Sequence, residues 1–117
     1  MKRLLALICT ACAGYAWADS PGPADVTVIK ARLEPGKLHE ECMRLEAGQK
    51  RSYYWKSDGP VDFNIHFHRG DEVIYPVKRE RMRGDGGMFT AKTGEDYCWM
   101  WTAKAAAAKI EGSIEAR

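Results

Sequence analysis

The sequence predicts an all-β protein, a single antiparallel β-sandwich of about eight short strands with one disulfide. Three observations support this fold class. Short segments in which apolar and polar residues alternate recur about every dozen residues. Glycine, proline and small polar residues separate these segments, and such residues build turns. Almost no stretch repeats its apolar residues every three or four positions, as an amphipathic helix does.

Turn signals divide residues 26–68 into four predicted strands. The segment VTVIKARL alternates and ends at the turn-forming pair Pro35-Gly36. Gly48 ends the second segment, and the run Ser-Asp-Gly-Pro at 57–60 ends the third. The fourth segment, VDFNIHFH, has the most regular alternation in the chain. The predicted strands are 26–33, 41–45, 49–55 and 61–68.

Four further strands complete the predicted sandwich. The segment EVIYPVK contains Pro76, which suits an edge strand or a bulge because proline cannot donate a ladder hydrogen bond. A polar, glycine-rich loop is expected over residues 79–87. The alternation of Ala108, Ile110 and Ile114 favours a final strand over a helical turn at the preceding alanine run. The predicted strands are 72–78, 88–91, 95–101 and 108–116.

Residues 1–18 have the three parts of a secretory signal peptide. Two basic residues begin the segment, the run LLALICTACA forms its apolar core, and Ala-Trp-Ala at 16–18 offers the small residues that a signal peptidase recognises. The apolar run is shorter than the roughly 20 residues that a membrane-spanning helix needs. We therefore predict cleavage before Asp19 and export to the periplasm or the medium, without a transmembrane helix.

Removal of this leader changes the charge and the cysteine count. The leader holds two of the 18 Lys and Arg residues and none of the 16 Asp and Glu residues, so the mature domain, residues 19–117, has 16 of each. A nucleic-acid-binding protein would carry a clear basic excess, so this neutrality argues against one. Only Cys42 and Cys98 remain, and in an oxidising compartment the simplest expectation is one disulfide between them. The alternative to soluble export is lipoprotein processing, with a lipid anchor at Cys12.

The strand VDFNIHFH carries the most specific chemical pattern in the chain. Alternation places His66 and His68 together on the polar face. The core face then consists of Val61, Phe63, Ile65 and Phe67. The Cα atoms of the two histidines would be about 6.6 Å apart, which is close enough for both imidazoles to bind one zinc or copper ion. Asp62, Asn64 or Glu72 would then supply an oxygen ligand or orient the histidines. The alternative, which we favour, is that both histidines lie on the solvent-exposed face of an ordinary strand.

The segment YCWMW is apolar on both faces of its predicted strand. Trp99 and Trp101 share one face, and Cys98 and Met100 share the other. We favour a central strand whose tryptophans fill the sandwich core. The alternative is that Trp99 and Trp101 line a ligand-binding groove.

Three segments resemble the GOLD domain of the emp24/p24 proteins in their order and spacing. They are EECMRLEAGQKRSYYW, GPVDFNIHFHRGDEV and FTAKTGEDYCWMW. The GOLD domain is a β-sandwich of comparable size with a cysteine near its start and a second in a later strand. The resemblance implies the sandwich and the pairing of Cys42 with Cys98. It does not imply cargo-receptor function, since Thr102-Ala103 replaces the usual Asn and the coiled coil, membrane helix and cytosolic tail have no counterpart.

A shorter segment, HFHRGDEV, resembles the first cupin motif. The motif residues would be Gly59, His66, His68 and Glu72. The second cupin motif contributes a further histidine, and no histidine follows His68 in this sequence. The resemblance therefore implies an incomplete cupin metal site.

These patterns favour an exported, non-catalytic binding or interaction module whose ligand is an unidentified protein or small molecule. The leading alternative is a periplasmic zinc- or copper-binding protein that uses His66 and His68. A cupin-type metalloenzyme is the third alternative, and it needs a ligand that the sequence does not supply. No nucleophilic triad, phosphate-binding glycine loop or close pair of catalytic carboxylates stands out in the sequence.

Overall fold

The computed structural model describes residues 25–117, which form an antiparallel β-sandwich of six strands. The predicted fold class is confirmed, with six strands rather than eight. The predicted signal peptide, residues 1–18, and the alternative anchor Cys12 lie outside the described residues. Within the described part, no helix is long and apolar enough to cross a membrane. The strands are β1 (Val26–Leu33), β2 (Leu38–Leu45), β3 (Lys50–Arg69), β4 (Glu72–Thr90), β5 (Glu95–Ala103) and β6 (Ala108–Ala116).

The sandwich consists of two layers that share the long strands β3 and β4. In the first layer the order is β1, β6, the first half of β3 and the second half of β4. In the second layer it is β2, β5, the second half of β3 and the first half of β4. Trp55 of the first layer packs on Phe63 and Trp101 of the second, with ring centroids 5.2 and 6.3 Å apart. The two layers therefore enclose one aromatic core.

Strand β3 passes from one layer to the other at residues 57–60, where the sequence predicts a turn. These four residues lie opposite a single residue of β4, Arg83, so the register shifts here. A Cβ atom at Gly59 would lie 2.8 Å from the carbonyl oxygen of Ala107, so the chain has room only for glycine at this bend. The turn-forming residues therefore mark a corner within one strand and not the end of a strand.

The polar segment 79–87, predicted as a loop, is also part of a strand. It belongs to β4 and follows β3 around the same corner. Glu80 and Arg81 together lie opposite Asp62, which makes a β-bulge. Arg81 adopts a φ of 53°, and its backbone N–H donates a hydrogen bond to Asp62 Oδ1 at 3.1 Å. Pairing with β3 therefore keeps residues 79–87 in a strand, although their composition is typical of a loop.

The core face of VDFNIHFH is confirmed by the structure. Val61, Phe63 and Ile65 are fully buried, and Phe67 is nearly so. The central position of the aromatic strand β5, between β3 and β2, is confirmed as well.

Trp99 and Trp101 are at most 1% exposed and belong to the hydrophobic core. They are enclosed by their neighbours, so the alternative in which they line a ligand groove is wrong. A strand between two paired neighbours buries its inner face whenever an opposing layer covers it.

Cys42 and Cys98 form the predicted disulfide between directly paired residues of β2 and β5. The bond links positions 56 apart. For a loop of that length the chain-entropy model gives about 4 kcal/mol of stabilisation as an upper value.

We expect replacement of both cysteines by alanine to lower the free energy of unfolding by about 2–4 kcal/mol. Urea denaturation of the variant beside the wild type measures this loss, and a midpoint equal to that of the oxidised wild type would contradict the prediction.

Candidate functional site

Two buried polar side chains, Asn64 and His66, lie on the face of the second layer that points away from the core. Strand register places them there. His66 pairs with Cys98, and Cys98 pairs with Cys42, so all three side chains project from the same face. We call the group around them the outer-face cluster; its members are Glu40, Asn64, His66, His68 and Tyr75, beside the Cys42–Cys98 bond.

His66 is only 4% exposed although it lies on the outer face. The rings of His68 and Tyr75 lie beside it, with centroids 5.3 and 5.8 Å from its own. Burial lowers the pKa of His66; the carboxylate of Glu40 acts in the opposite direction, and His68 lowers the pKa further. The net effect favours the neutral imidazole.

The two ring nitrogens of His66 have different partners. Nδ1 lies 2.7 Å from Oδ1 of Asn64. An amide oxygen can only accept, so Nδ1 carries the proton and donates it. In the neutral ring Nε2 then carries a lone pair, and it lies 3.4 Å from Oε1 of Glu40. The cluster therefore holds one nitrogen and one oxygen acceptor side by side.

The structure separates the three predicted metal ligands. His66 and His68 share the outer face, as predicted. Glu72 pairs with Arg69, and His68 pairs with Val73, so Glu72 projects from the opposite face of the sheet. Glu72 is therefore not part of the cluster. The favoured interpretation, in which both histidines face solvent, holds for His68 and is wrong for His66.

Sequence reasoning missed Glu40, which lies on a different strand from the histidines. Within residues 25–117, Glu40, His66 and Cys98 are the one group of potential metal-ligating residues whose ligand atoms all lie within 4.8 Å of one another. Cys98 is bonded to Cys42 and so offers no thiolate. The alternation of YCWMW signals only that Cys98 and Met100 share a face, and it gives no signal for Glu40.

A second feature is a cleft of about 490 Å³ at the end of the sandwich away from the corner. It lies where the β3–β4 hairpin tip in the second layer approaches the end of β4 in the first. We call it the open-end cleft. Most of its lining is apolar or aromatic, with two threonines and two basic residues; the lining residues are Phe67, Arg69, Ile74, Pro76, Phe89, Thr90, Lys92, Thr93 and Tyr97.

The charges at the open-end cleft are net positive. The guanidinium of Arg69 lies 5.4 Å from the ring centroid of Phe67 and 3.2 Å from Oε1 of Glu95. Lys92 adds a second, exposed cation. The hydroxyl of Tyr97 donates a hydrogen bond to the carbonyl oxygen of Thr93 at 2.7 Å, which fixes the loop that forms one wall. The cleft thus combines an apolar floor with a basic rim.

Comparison with known proteins identifies the fold only. No model of a protein family matches the sequence, and no curated protein matches it. PliG of Aeromonas hydrophila, a periplasmic inhibitor of g-type lysozyme, has a TM-score of 0.59 at 11% identity, over 81% of this chain and 89% of that one. PliG of Salmonella Typhimurium has a TM-score of 0.58 at 14% identity, over 85% of this chain and 94% of that one.

A third similar structure is the pre-peptidase C-terminal domain of a collagenase from Bacillus anthracis. Its TM-score is 0.57 at 13% identity, over 85% of this chain and 99% of that one. Identities this low establish a shared sandwich and nothing about ligands. The resemblance to the GOLD domain stays a prediction, since these three structures are neither GOLD domains nor cupins.

Proposed function

We propose that this chain is an exported, non-catalytic binding module that holds an apolar group of a protein partner in the open-end cleft. The observation that carries the proposal is the cleft itself. Its volume is about 490 Å³, and ligand pockets typically measure about 300–1,000 Å³. Its walls are mainly apolar, with a few polar groups at the rim, which is the usual composition of a binding site.

The chemistry of the cleft supports binding rather than catalysis. Among the residues that the structure describes, its lining contains no histidine, cysteine or serine. The nearby carboxylate of Glu95 accepts a hydrogen bond from Arg69 at 3.2 Å and is held in that ion pair. Glu95 does not line the cleft, and a general base must lie within hydrogen-bond reach of the proton that it abstracts. The two cations instead suit an acidic residue of the partner next to its apolar group.

The similar structures supply the first partner to test. Both PliG proteins are inhibitors of g-type lysozyme and are periplasmic. The signal-peptide pattern of residues 1–18 supports the same compartment for this chain. We therefore infer that the module acts outside the cytoplasm and propose g-type lysozyme as its first candidate partner.

A dye-binding experiment tests the cleft. Anilinonaphthalene sulfonate has an aromatic body and one negative charge, so it matches the apolar floor and the basic rim. We expect the folded wild type to enhance its fluorescence, and Thr90→Trp to weaken binding by about tenfold or more by filling the cleft. Met88→Trp is the matched control, because Met88 lies on the same strand, is 55% exposed and does not line the cleft.

The same variants test the partner. We expect the wild type and Met88→Trp to inhibit g-type lysozyme, and Thr90→Trp to inhibit it less. Dye binding without inhibition would reject lysozyme as the partner and retain the binding module. Failure of the folded wild type to bind the dye, or equal binding by all three proteins, would reject the open-end cleft as the binding site.

A further inference from the structure

The side chains of His66 and Glu40 present two electron pairs to each other. Nδ1 of His66 donates to Asn64, so in the neutral ring Nε2 faces the carboxylate of Glu40 as an acceptor. Nε2 and Oε1 are 3.4 Å apart, which exceeds the usual N–H···O hydrogen-bond range of about 2.7–3.2 Å. Two acceptors held this close, one of them on a buried ring, repel each other unless a proton on Nε2 or a metal ion lies between them.

The separation of these two atoms matches that of two ligands on one metal ion. Zinc binds histidine nitrogen at about 2.0–2.1 Å and carboxylate oxygen at about 2.0–2.2 Å. At a tetrahedral angle, those bond lengths place the two ligand atoms about 3.4 Å apart. The observed distance from Nε2 to Oε1 is 3.4 Å.

Asn64 has the role that a supporting residue has in known metal sites. A histidine that binds metal through one nitrogen usually donates the other ring N–H to a fixed acceptor, which sets the tautomer and the ring orientation. Asn64 accepts that hydrogen bond at 2.7 Å and is itself 8% exposed. The imidazole is therefore oriented before any ion binds.

A second His–Glu pair in this chain has a different geometry. Nε2 of His39 lies 3.0 Å from Oε1 of Glu41, which is an ordinary hydrogen-bond distance. Both residues lie on β2 and are partly exposed. This pair needs no cation, because Nε2 of His39 can carry the proton that it shares with Glu41. It serves as an internal control for the pair in the outer-face cluster.

His68 is the natural third ligand. Its ring centroid lies 5.3 Å from that of His66 on the same face, and its side chain is exposed, so we expect a change of rotamer to bring one of its nitrogens to the ion. Two imidazoles and a carboxylate form a donor set that suits zinc and copper(II). Tyr75 covers the neighbouring side of His66, with a ring separation of 5.8 Å, and limits the access of water.

We propose that the outer-face cluster binds one divalent transition-metal ion, zinc or copper(II), through Nε2 of His66, a carboxylate oxygen of Glu40 and a ring nitrogen of His68. The site is distinct from the open-end cleft, so it goes beyond the proposed function and does not depend on it. Asn64 is the positioning residue for His66. Water completes the coordination of the ion.

Metal titration of the mature, untagged and chelator-treated protein tests the proposal. We expect calorimetry to detect one zinc or one copper(II) ion per oxidised chain. His66→Gln and Glu40→Gln should each weaken binding by at least about 100-fold, and Asn64→Ala by about 10–100-fold. His39→Gln should leave binding unchanged. Glu40 is partly exposed on an edge strand, so its variant remains informative if His66→Gln fails to fold.

Electron paramagnetic resonance of the copper(II) form tests His68 separately. We expect hyperfine coupling to two imidazole nitrogens in the wild type and to one in His68→Gln. The proposal is overturned if neither ion binds at one per chain. It is also overturned if Glu40→Gln binds as tightly as the wild type, or if His39→Gln loses binding to the same extent as His66→Gln.

Discussion

Replacement of Gly112 by alanine is expected to destabilise the protein by more than about 4 kcal/mol, a loss that few single substitutions cause. Gly112 lies on β6, paired with Trp55 of β3 on one side and with Ile29 of β1 on the other. A Cβ atom at this position would collide with the carbonyl oxygen of Tyr54 and lie 2.7 Å from Cα of Trp55. Since both contacts are with backbone, only separation of β3 from β6 could relieve them.

A domain of this size has a total stability of about 5–15 kcal/mol. The Gly112→Ala protein should therefore be largely unfolded, or should unfold at much lower urea concentration, when circular dichroism follows its denaturation. Gly36→Ala is the matched control, because Gly36 has a φ of 75° but no atom near the position of a Cβ. Alanine there should cost only about 1–2 kcal/mol of backbone strain. Equal losses in the two variants would contradict the proposed lack of space at Gly112.

The sequence predicted the fold class because alternation is a local property. Each residue of VDFNIHFH faces the side that its position in the alternation predicts, and Phe63 and Ile65 reach full burial. The number of strands was overestimated at two places, residues 57–60 and 79–87, where glycine and polar residues normally end a strand. In this chain the second layer continues the same two strands around a corner, and Gly59 provides the space for it. A corner and a turn share these residue types, so composition cannot separate them.

The candidate metal site was predicted only in part, because strand pairing brings one of its residues to the others. His66 and His68 were found because they lie on one strand, two positions apart. Glu40 is brought to His66 by the pairing of β2 with β5 and of β5 with β3, and sequence spacing carries no information on such pairing. Glu72 is closer in sequence, but the hairpin register turns it to the opposite face. The burial of His66 likewise comes from neighbouring strands, through the ring of Tyr75.

Replacement of Phe63 by alanine is expected to lower the free energy of unfolding by about 3–5 kcal/mol, because it leaves a cavity in a close-packed aromatic core. Phe63 is fully buried, and its ring centroid lies 5.2 Å from that of Trp55 and 5.5 Å from that of Trp101. Denaturation in the presence of a chelator measures the loss without any contribution from bound metal. A loss below about 1 kcal/mol would contradict the position of Phe63 in the core.

The neighbouring variant Asn64→Ala distinguishes the two faces of the same strand. An exposed polar residue would cost about 0.5 kcal/mol or less, as Asp71→Ala in the exposed hairpin turn should. Asn64 is instead buried and accepts the Nδ1–H of His66. Its loss leaves a buried donor unpaired and should cost about 1–3 kcal/mol.

In a His66→Gln background the Asn64→Ala substitution should cost less, because the Nδ1–H donor is gone. Equal costs of Asn64→Ala in the two backgrounds would mean that the hydrogen bond does not hold His66 in place, and the orientation of Nε2 toward Glu40 would then lack its support.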